Sequence, residues 1–169
     1  ARTFQTSKLF QGLTVRENLY TSLRQALGEK KISWLANPSE SDRLRTESTS
    51  ILERVDLLKK ADVLVSDISH GESRQLEVAM ALAMRPKILM LDEPAAGISP
   101  TERGRLVDLL KSLDKDMTLI LIEHDMAVAL AVADDVIVMH DGTMFMQGSP
   151  DEVRNSSAVR DLYLGSNHE

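Results

Sequence analysis

Apolar positions along the chain follow two rhythms. Over residues 15–27, 43–58 and 76–83 they recur at the three- and four-residue spacing of an amphipathic helix. Leu44, Ile51, Leu52 and Val55 mark the second stripe, and Leu76, Ala79, Met80 and Ala83 the third, which ends before Pro86. Thr14-Val15-Arg16-Glu17 has the form of a capping box, so the first helix is predicted to start at Val15. The runs Ile88–Leu91 and Thr118–Ile122 are too short for helices and read as buried strands. Between them, Ser99-Pro100-Thr101-Glu102 puts Ser at N-cap, Pro at N1 and Glu at N3 of a helix carrying Leu106, Leu109, Leu110 and Leu113 inward. A short apolar helix is expected over residues 126–133. Val136–His140 and Thr143–Gln147 flank Asp141-Gly142, a two-residue hairpin signal, and Ser149-Pro150-Asp151-Glu152 caps a terminal helix reaching Tyr163 or Leu164. Residues 28–42 lose periodicity; Asn37-Pro38-Ser39 marks a turn there, and Trp34 reads as a local packing residue.

Strands alternating with helices after residue 85, behind a largely helical stretch at 14–84, indicate an α/β class. The pattern divides into residues 1–13, 14–84, 85–148 and 149–169. Composition narrows the function classes. With 43% hydrophobic and 27% charged residues among 169, the chain has the make-up of an ordinary globular domain. The absence of Cys excludes a disulfide framework and thiolate metal or nucleophile chemistry. A net charge of −6 argues against a nucleic-acid role, which calls for a basic face. No apolar run approaches the roughly 18 residues that span a bilayer, and no signal peptide is visible, so any membrane association must come through a partner.

The richest chemistry lies in Ile88-Leu89-Met90-Leu91-Asp92-Glu93-Pro94, where a buried strand delivers two adjacent carboxylates at its carboxyl end. That end is where ligands bind in open parallel sheets. One carboxylate there can hold a Mg²⁺ shell while the other activates a water. Taken alone, the run also describes a core strand capped by two solvated acids. Three neighbours change that reading: Ala1-Arg2-Thr3-Phe4-Gln5, Ser66-Asp67-Ile68-Ser69-His70-Gly71-Glu72-Ser73-Arg74-Gln75 and Ile122-Glu123-His124-Asp125. In order and spacing the four segments resemble the Q-loop, signature loop, Walker B strand and switch histidine of the ABC-type ATPases.

The resemblance covers essentially the whole chain. It implies a partial P-loop NTPase fold: a mostly parallel sheet with helices, a helical subdomain, and a C-terminal hairpin and helix. ATP and Mg²⁺ are the implied cofactors. Glu93 is the implied general base, and Asp92 holds Mg²⁺ mostly through a coordinated water. Gln5 ligates Mg²⁺ or its water through its carbonyl oxygen, and His124 donates from a neutral imidazole to the γ-phosphate. Ser69, His70, Gly71 and Glu72 form the signature loop, which in the family closes over ATP held by an opposite subunit. Here the loop departs from the commonest Leu-Ser-Gly-Gly-Gln, with Ile68, His70 and Glu72 standing for the Leu, the first Gly and the Gln. Ser69 and Gly71 keep a hydroxyl and free N–H groups at a helix N-terminus. Glu72 either weakens phosphate binding by its charge or serves as a first-turn acid favoured by the helix dipole. Ser99 stands where many relatives end the D-loop in Asp, and it reads best as a helix N-cap.

None of the eight Gly is followed by Lys, so the P-loop pattern G-x-x-x-x-G-K-[ST] is missing. The expectation is the C-terminal part of a longer protein, inactive and aggregation-prone by itself. Leu9-Phe10, Leu13-Thr14-Val15-Arg16-Glu17-Asn18, Glu93-Pro94-Ala95-Ala96-Gly97, Glu123-His124-Asp125-Met126 and Leu162-Tyr163-Leu164-Gly165 look most similar to ATPases of branched-chain amino acid, urea and amide importers. The implied partners are a second ATPase subunit, identical or paralogous, in a head-to-tail dimer, and a transmembrane permease. A solute-binding protein is implied indirectly, nucleic acid is not, and the place is the cytoplasmic face of the membrane. The alternative is a non-catalytic module that supplies signature and docking surfaces to a partner with an intact P-loop. A soluble ABC ATPase of DNA repair or translation fits less well, because the spacer between Gln5 and Ser69 is short and Cys-free.

Overall fold

Short-range signals set most element boundaries in the computed structural model, which describes residues 9–27 and 38–165. Gln5, Trp34 and His168 lie outside the described residues. Backbone contacts divide the chain into two compact units, Ala1–Ile122 and Glu123–Glu169, with the division inside the stretch 85–148.

In the first unit, α1 (Val15–Ala26) starts at the expected capping box: Thr14 Oγ1 accepts the Glu17 N–H, and the Glu17 carboxylate accepts the Thr14 N–H. Its buried Asn18 accepts the Phe10 N–H at 2.8 Å and donates to the Phe10 and Thr14 carbonyls, which fastens the entering segment. Helix α2 (Pro38–Arg54) begins five residues before the predicted Arg43, with Pro38 in its first turn, where a missing N–H costs nothing. It also ends before the predicted Leu58. Asp56 takes a left-handed conformation (φ 56°), and the chain passes into a 3₁₀ turn at Leu58–Lys60. Helix α3 (His70–Ala83) packs against α1 and α2, and Arg16 ties α1 to α2 through Ser48 at 2.9 Å and Thr49 at 3.1 Å.

Strands β1 (Ile88–Asp92) and β2 (Thr118–Ile122) pair in parallel, from Ile88 opposite Thr118 to Asp92 opposite Ile122, with helix α4 (Pro100–Lys111) on the crossover. Leu89 and Leu91 are fully buried, as are Leu52, Leu57, Leu76 and Leu106, and these make the core. The expectation of a second buried strand is corrected. Leu119 and Leu121 of β2 are half-buried, and Ile120 and Ile122 are 42% and 50% exposed. Among the described residues this sheet has two strands, and one face of it, with Ile88, Ile120 and Ile122, stays open.

In the second unit, α5 (Met126–Val132) precedes an antiparallel hairpin of β3 (Val136–His140) and β4 (Thr143–Gly148). Asp141 and Gly142 carry φ of 47° and 75°, the left-handed pair that a tight hairpin turn requires. The single terminal helix expected from the sequence is instead two, α6 (Pro150–Asn155) and α7 (Ser157–Gly165). Ser156 leaves the helical region (ψ 118°), and its hydroxyl accepts the Val159 N–H, a local bond that competes with the helix ladder. Val138, Val153 and Val159 form this unit's core, with Met126, Leu130, Val136, Met146 and Leu162 around it.

Candidate active site

The Asp92-Glu93 pair sits where the parallel ladder runs out. The Glu93 N–H donates to the Ile122 carbonyl at 2.8 Å, continuing the pairing one residue past β1. Glu93 then takes φ 46°, a left-handed backbone rare for a side chain of its size. Its own carbonyl accepts the Ala96 N–H at 3.1 Å, closing a turn over buried Pro94 and Ala95. Both carboxyl-bearing residues are half-buried. Strain of this kind concentrates at functional sites, where surrounding packing over-determines the backbone. The left-handed Gly97 (φ 72°) and buried Ile98 carry the chain on to Ser99.

Ser69 and Ser99 each cap a helix through the same local pattern. Ser69 Oγ accepts the Glu72 N–H at 3.1 Å, and the Glu72 carboxylate accepts the Ser69 N–H at 2.8 Å. Glu72 therefore faces back onto its own cap, with Lys60 Nζ 3.6 Å away, which favours the first-turn role over repulsion of a ligand. Ser99 is the N-cap of α4, in accord with its sequence pattern, and its partner there is Glu102.

A link that periodicity does not reveal joins these two caps. Glu102 Oε2 accepts from Ser99 Oγ at 2.6 Å and from the Ser99 N–H at 3.0 Å, while Oε1 accepts from Ser69 Oγ at 2.8 Å, 33 residues away in sequence. The Ser99 bonds first, then Ser69 and the Gly71 N–H, pull the Glu102 carboxyl down to about 2. Gly71 is buried because the carboxylate lies against it: a Cβ there would come within 2.5 Å of Glu102 Cδ. His70, which replaces a Gly of the common signature, lies beside exposed Gly97; its Nε2 is 3.4 Å from where a Cβ on Gly97 would be. Ser69, His70, Gly71, Ser99 and the loop leaving Glu93 are thus brought together in one unit.

His124 belongs to the second unit, exposed between Glu123 and Asp125. Asp125 caps α5 by accepting the Ala127 and Val128 N–H groups at 2.9 and 3.2 Å. Gln5 lies outside the described residues. Among the described residues no cluster of three or more His, Cys, Asp or Glu side chains could enclose a metal. Asp92, a hard oxygen donor beside a second carboxylate, fits the sparse protein shell of Mg²⁺, which takes one or two carboxylates and completes its octahedron with phosphates and waters. Among the described residues no helix is long and apolar enough to cross a membrane.

Residues 1–96 match the family model described as ABC transporter. The chain is 38% identical over 170 aligned positions to the high-affinity branched-chain amino acid transport ATP-binding protein LivG of Salmonella typhimurium, an alignment covering 97% of this chain and 67% of that protein. In structure it is similar to the ADP conformation of MJ1267, an ATP-binding cassette of an ABC transporter, with a TM-score of 0.76 and 26% identity over 98% of this chain and 68% of the other. The same fold recurs in the dimeric post-hydrolysis state of the cassette MJ0796 bound to ADP and Pi, with a TM-score of 0.70 and 23% identity over 88% and 62% of the two chains.

Proposed function

The chain belongs to the ABC transporter ATP-binding family, and from that premise we propose that it forms the Walker B and signature part of an ATPase subunit energising import of branched-chain amino acids. The observation that carries the catalytic reading is the Asp92-Glu93 pair at the carboxyl end of β1, with Glu93 in a left-handed backbone and its N–H bonded to the Ile122 carbonyl. Hydrolysis of a γ-phosphate needs a water held in line with it and a group to take the proton. Glu93 orients that water and accepts its proton. Asp92, with Gln5, holds the Mg²⁺ shell. Mg²⁺, when bound with ATP, neutralises the charge developing on the β- and γ-phosphate oxygens. His124 donates an imidazole N–H to the γ-phosphate and registers its loss.

No Gly of this chain is followed by Lys, so a P-loop phosphate cradle is not among its residues, and the 169-residue chain alone does not turn over ATP. Ser69 and the first N–H groups of α3 meet the ATP bound by a second subunit, in a head-to-tail dimer with two sandwiched nucleotides. The helical region 14–84 docks on a transmembrane permease at the cytoplasmic face of the membrane. The likeness to LivG supports branched-chain amino acids as the cargo; permease and binding protein select among them. The test is Glu93→Gln in the full-length protein. The expected result is ATP binding within twofold of wild type and turnover reduced by at least about a hundredfold, the scale of a general base. Unchanged turnover removes Glu93 from the chemistry.

A further inference from the structure

The groups expected to receive a phosphate at the N-terminus of α3 already hold an anion from the same chain. Ser69 Oγ donates to Glu102 Oε1 at 2.8 Å, and the carboxylate lies directly against Gly71. We propose that Glu102 is an internal stand-in for the nucleotide phosphate: its carboxylate clasps the signature loop to the D-loop, and an incoming phosphate must displace it. The inference rests on the reading that Ser69 meets a nucleotide bound by a second subunit.

Three features support a clasp over an incidental helix cap. First, capping needs only Ser99; the carboxylate's other oxygen reaches across to Ser69, 33 residues away. Second, Gly71 leaves room for the carboxylate directly against the backbone, where a side chain would collide with Glu102 Cδ and Cγ at 2.5 and 2.9 Å. Third, the two loops approach again where the His70 ring lies beside exposed Gly97, so the contact joins loop to loop. With its carboxyl at about 2, Glu102 is ionised at neutral pH. A nucleotide phosphate is anionic too, and two anions cannot share the same donors without strong repulsion. Glu102 is half-buried, so it has a path away from Ser69 once displaced.

The clasp therefore holds back nucleotide-driven association. Full-length protein arrested by Glu93→Gln is titrated with Mg-ATP, and dimer formation is followed by light scattering. Glu102→Gln keeps an N3 residue suited to the capping box but removes the charge. It is expected to lower the ATP concentration at half-dimerisation about tenfold, the scale of one charge-assisted contact. Glu102→Asp, too short to span both caps, should move the midpoint the same way and guards against misfolding of the first variant. A role in structure alone would raise the midpoint or leave it unmoved in both variants, and either result overturns the clasp. Ser69→Ala added to the Glu93→Gln, Glu102→Gln protein, where the clasp is already gone, separates the two levels. If Ser69→Ala raises the midpoint while the Glu102 variants do nothing, the trans reading stands and the clasp fails. If Ser69→Ala has no effect, the trans reading fails and the clasp with it.

Discussion

Replacing Glu93 tests the strain at the candidate base directly. Its φ of 46° lies in the left-handed region, where a Cβ crowds the following carbonyl oxygen at a cost of roughly 1–2 kcal/mol. Glu93→Ala keeps that Cβ and the strain, whereas Glu93→Gly releases it. Glycine's extra freedom in the unfolded chain takes back about 0.5–1 kcal/mol. Glycine should therefore be more stable than alanine here by about 0.5–1 kcal/mol, the reverse of the order at an ordinary strand or helix position. For a chain of this length that is about 1–4 °C in Tm. Far-UV circular dichroism on heating, with both variants side by side, reads the difference. Both variants lose the carboxylate, so lost side-chain interactions cancel and the comparison isolates the backbone. Alanine equal to or more stable than glycine would refute the left-handed geometry, and with it the claim that the site stores strain.

Two further outcomes follow from burial and charge. Leu91→Ala, at a position 1% exposed, should cost about 2–5 kcal/mol in this chain, while Ile120→Ala, 42% exposed on the open face, should cost less than about 1 kcal/mol; urea unfolding distinguishes them, and equal losses would contradict the one-sided sheet. Glu102 is depressed from an ordinary value of 4.5 to about 2, so its contribution to stability is complete above pH 4.5 and is lost as the pH falls toward 2. Acid titration of stability should be steeper for wild type than for Glu102→Gln across that window, and parallel curves would contradict the cause assigned to the shift.

What the sequence made legible was what short-range physics controls. The Thr-x-x-Glu box at Thr14 and the Ser-x-x-Glu boxes at Ser99 and Ser149 form because the partner groups are three residues apart and meet whenever the turn forms. Asp141-Gly142 makes its turn because both residues tolerate positive φ. The apolar run 88–91 is a strand whatever surrounds it, and its acids were evident as a pair. The missed features all depend on what lies far away in sequence. No periodicity connects Ser69 to Glu102, and nothing in Ile120 or Ile122 says that one face of the sheet is open. The break at Ser156 turns on a side chain choosing a local bond over the helix, and Asn155-Ser156-Ser157 was the only hint of it. The left-handed φ of Glu93 occurs where its N–H is held by a β2 carbonyl and its own carbonyl closes a turn with Ala96, an arrangement the sequence pattern does not show.

The central claim is that Glu93 of one subunit and Ser69 of the other serve the same nucleotide, and mixing two dead full-length variants tests it most directly. Glu93→Gln removes the base from one protein; Ser69→Arg blocks the signature loop of the other. Each alone should be inactive. In a mixed dimer, one of the two sites joins an intact Glu93 to an intact Ser69. Random pairing of equal amounts makes half the dimers mixed, each with one working site, so ATPase activity should recover to about a quarter of wild type. Were both residues to act on a nucleotide within their own subunit, no polypeptide in the mixture would be whole, and activity would stay at the level of the separate variants.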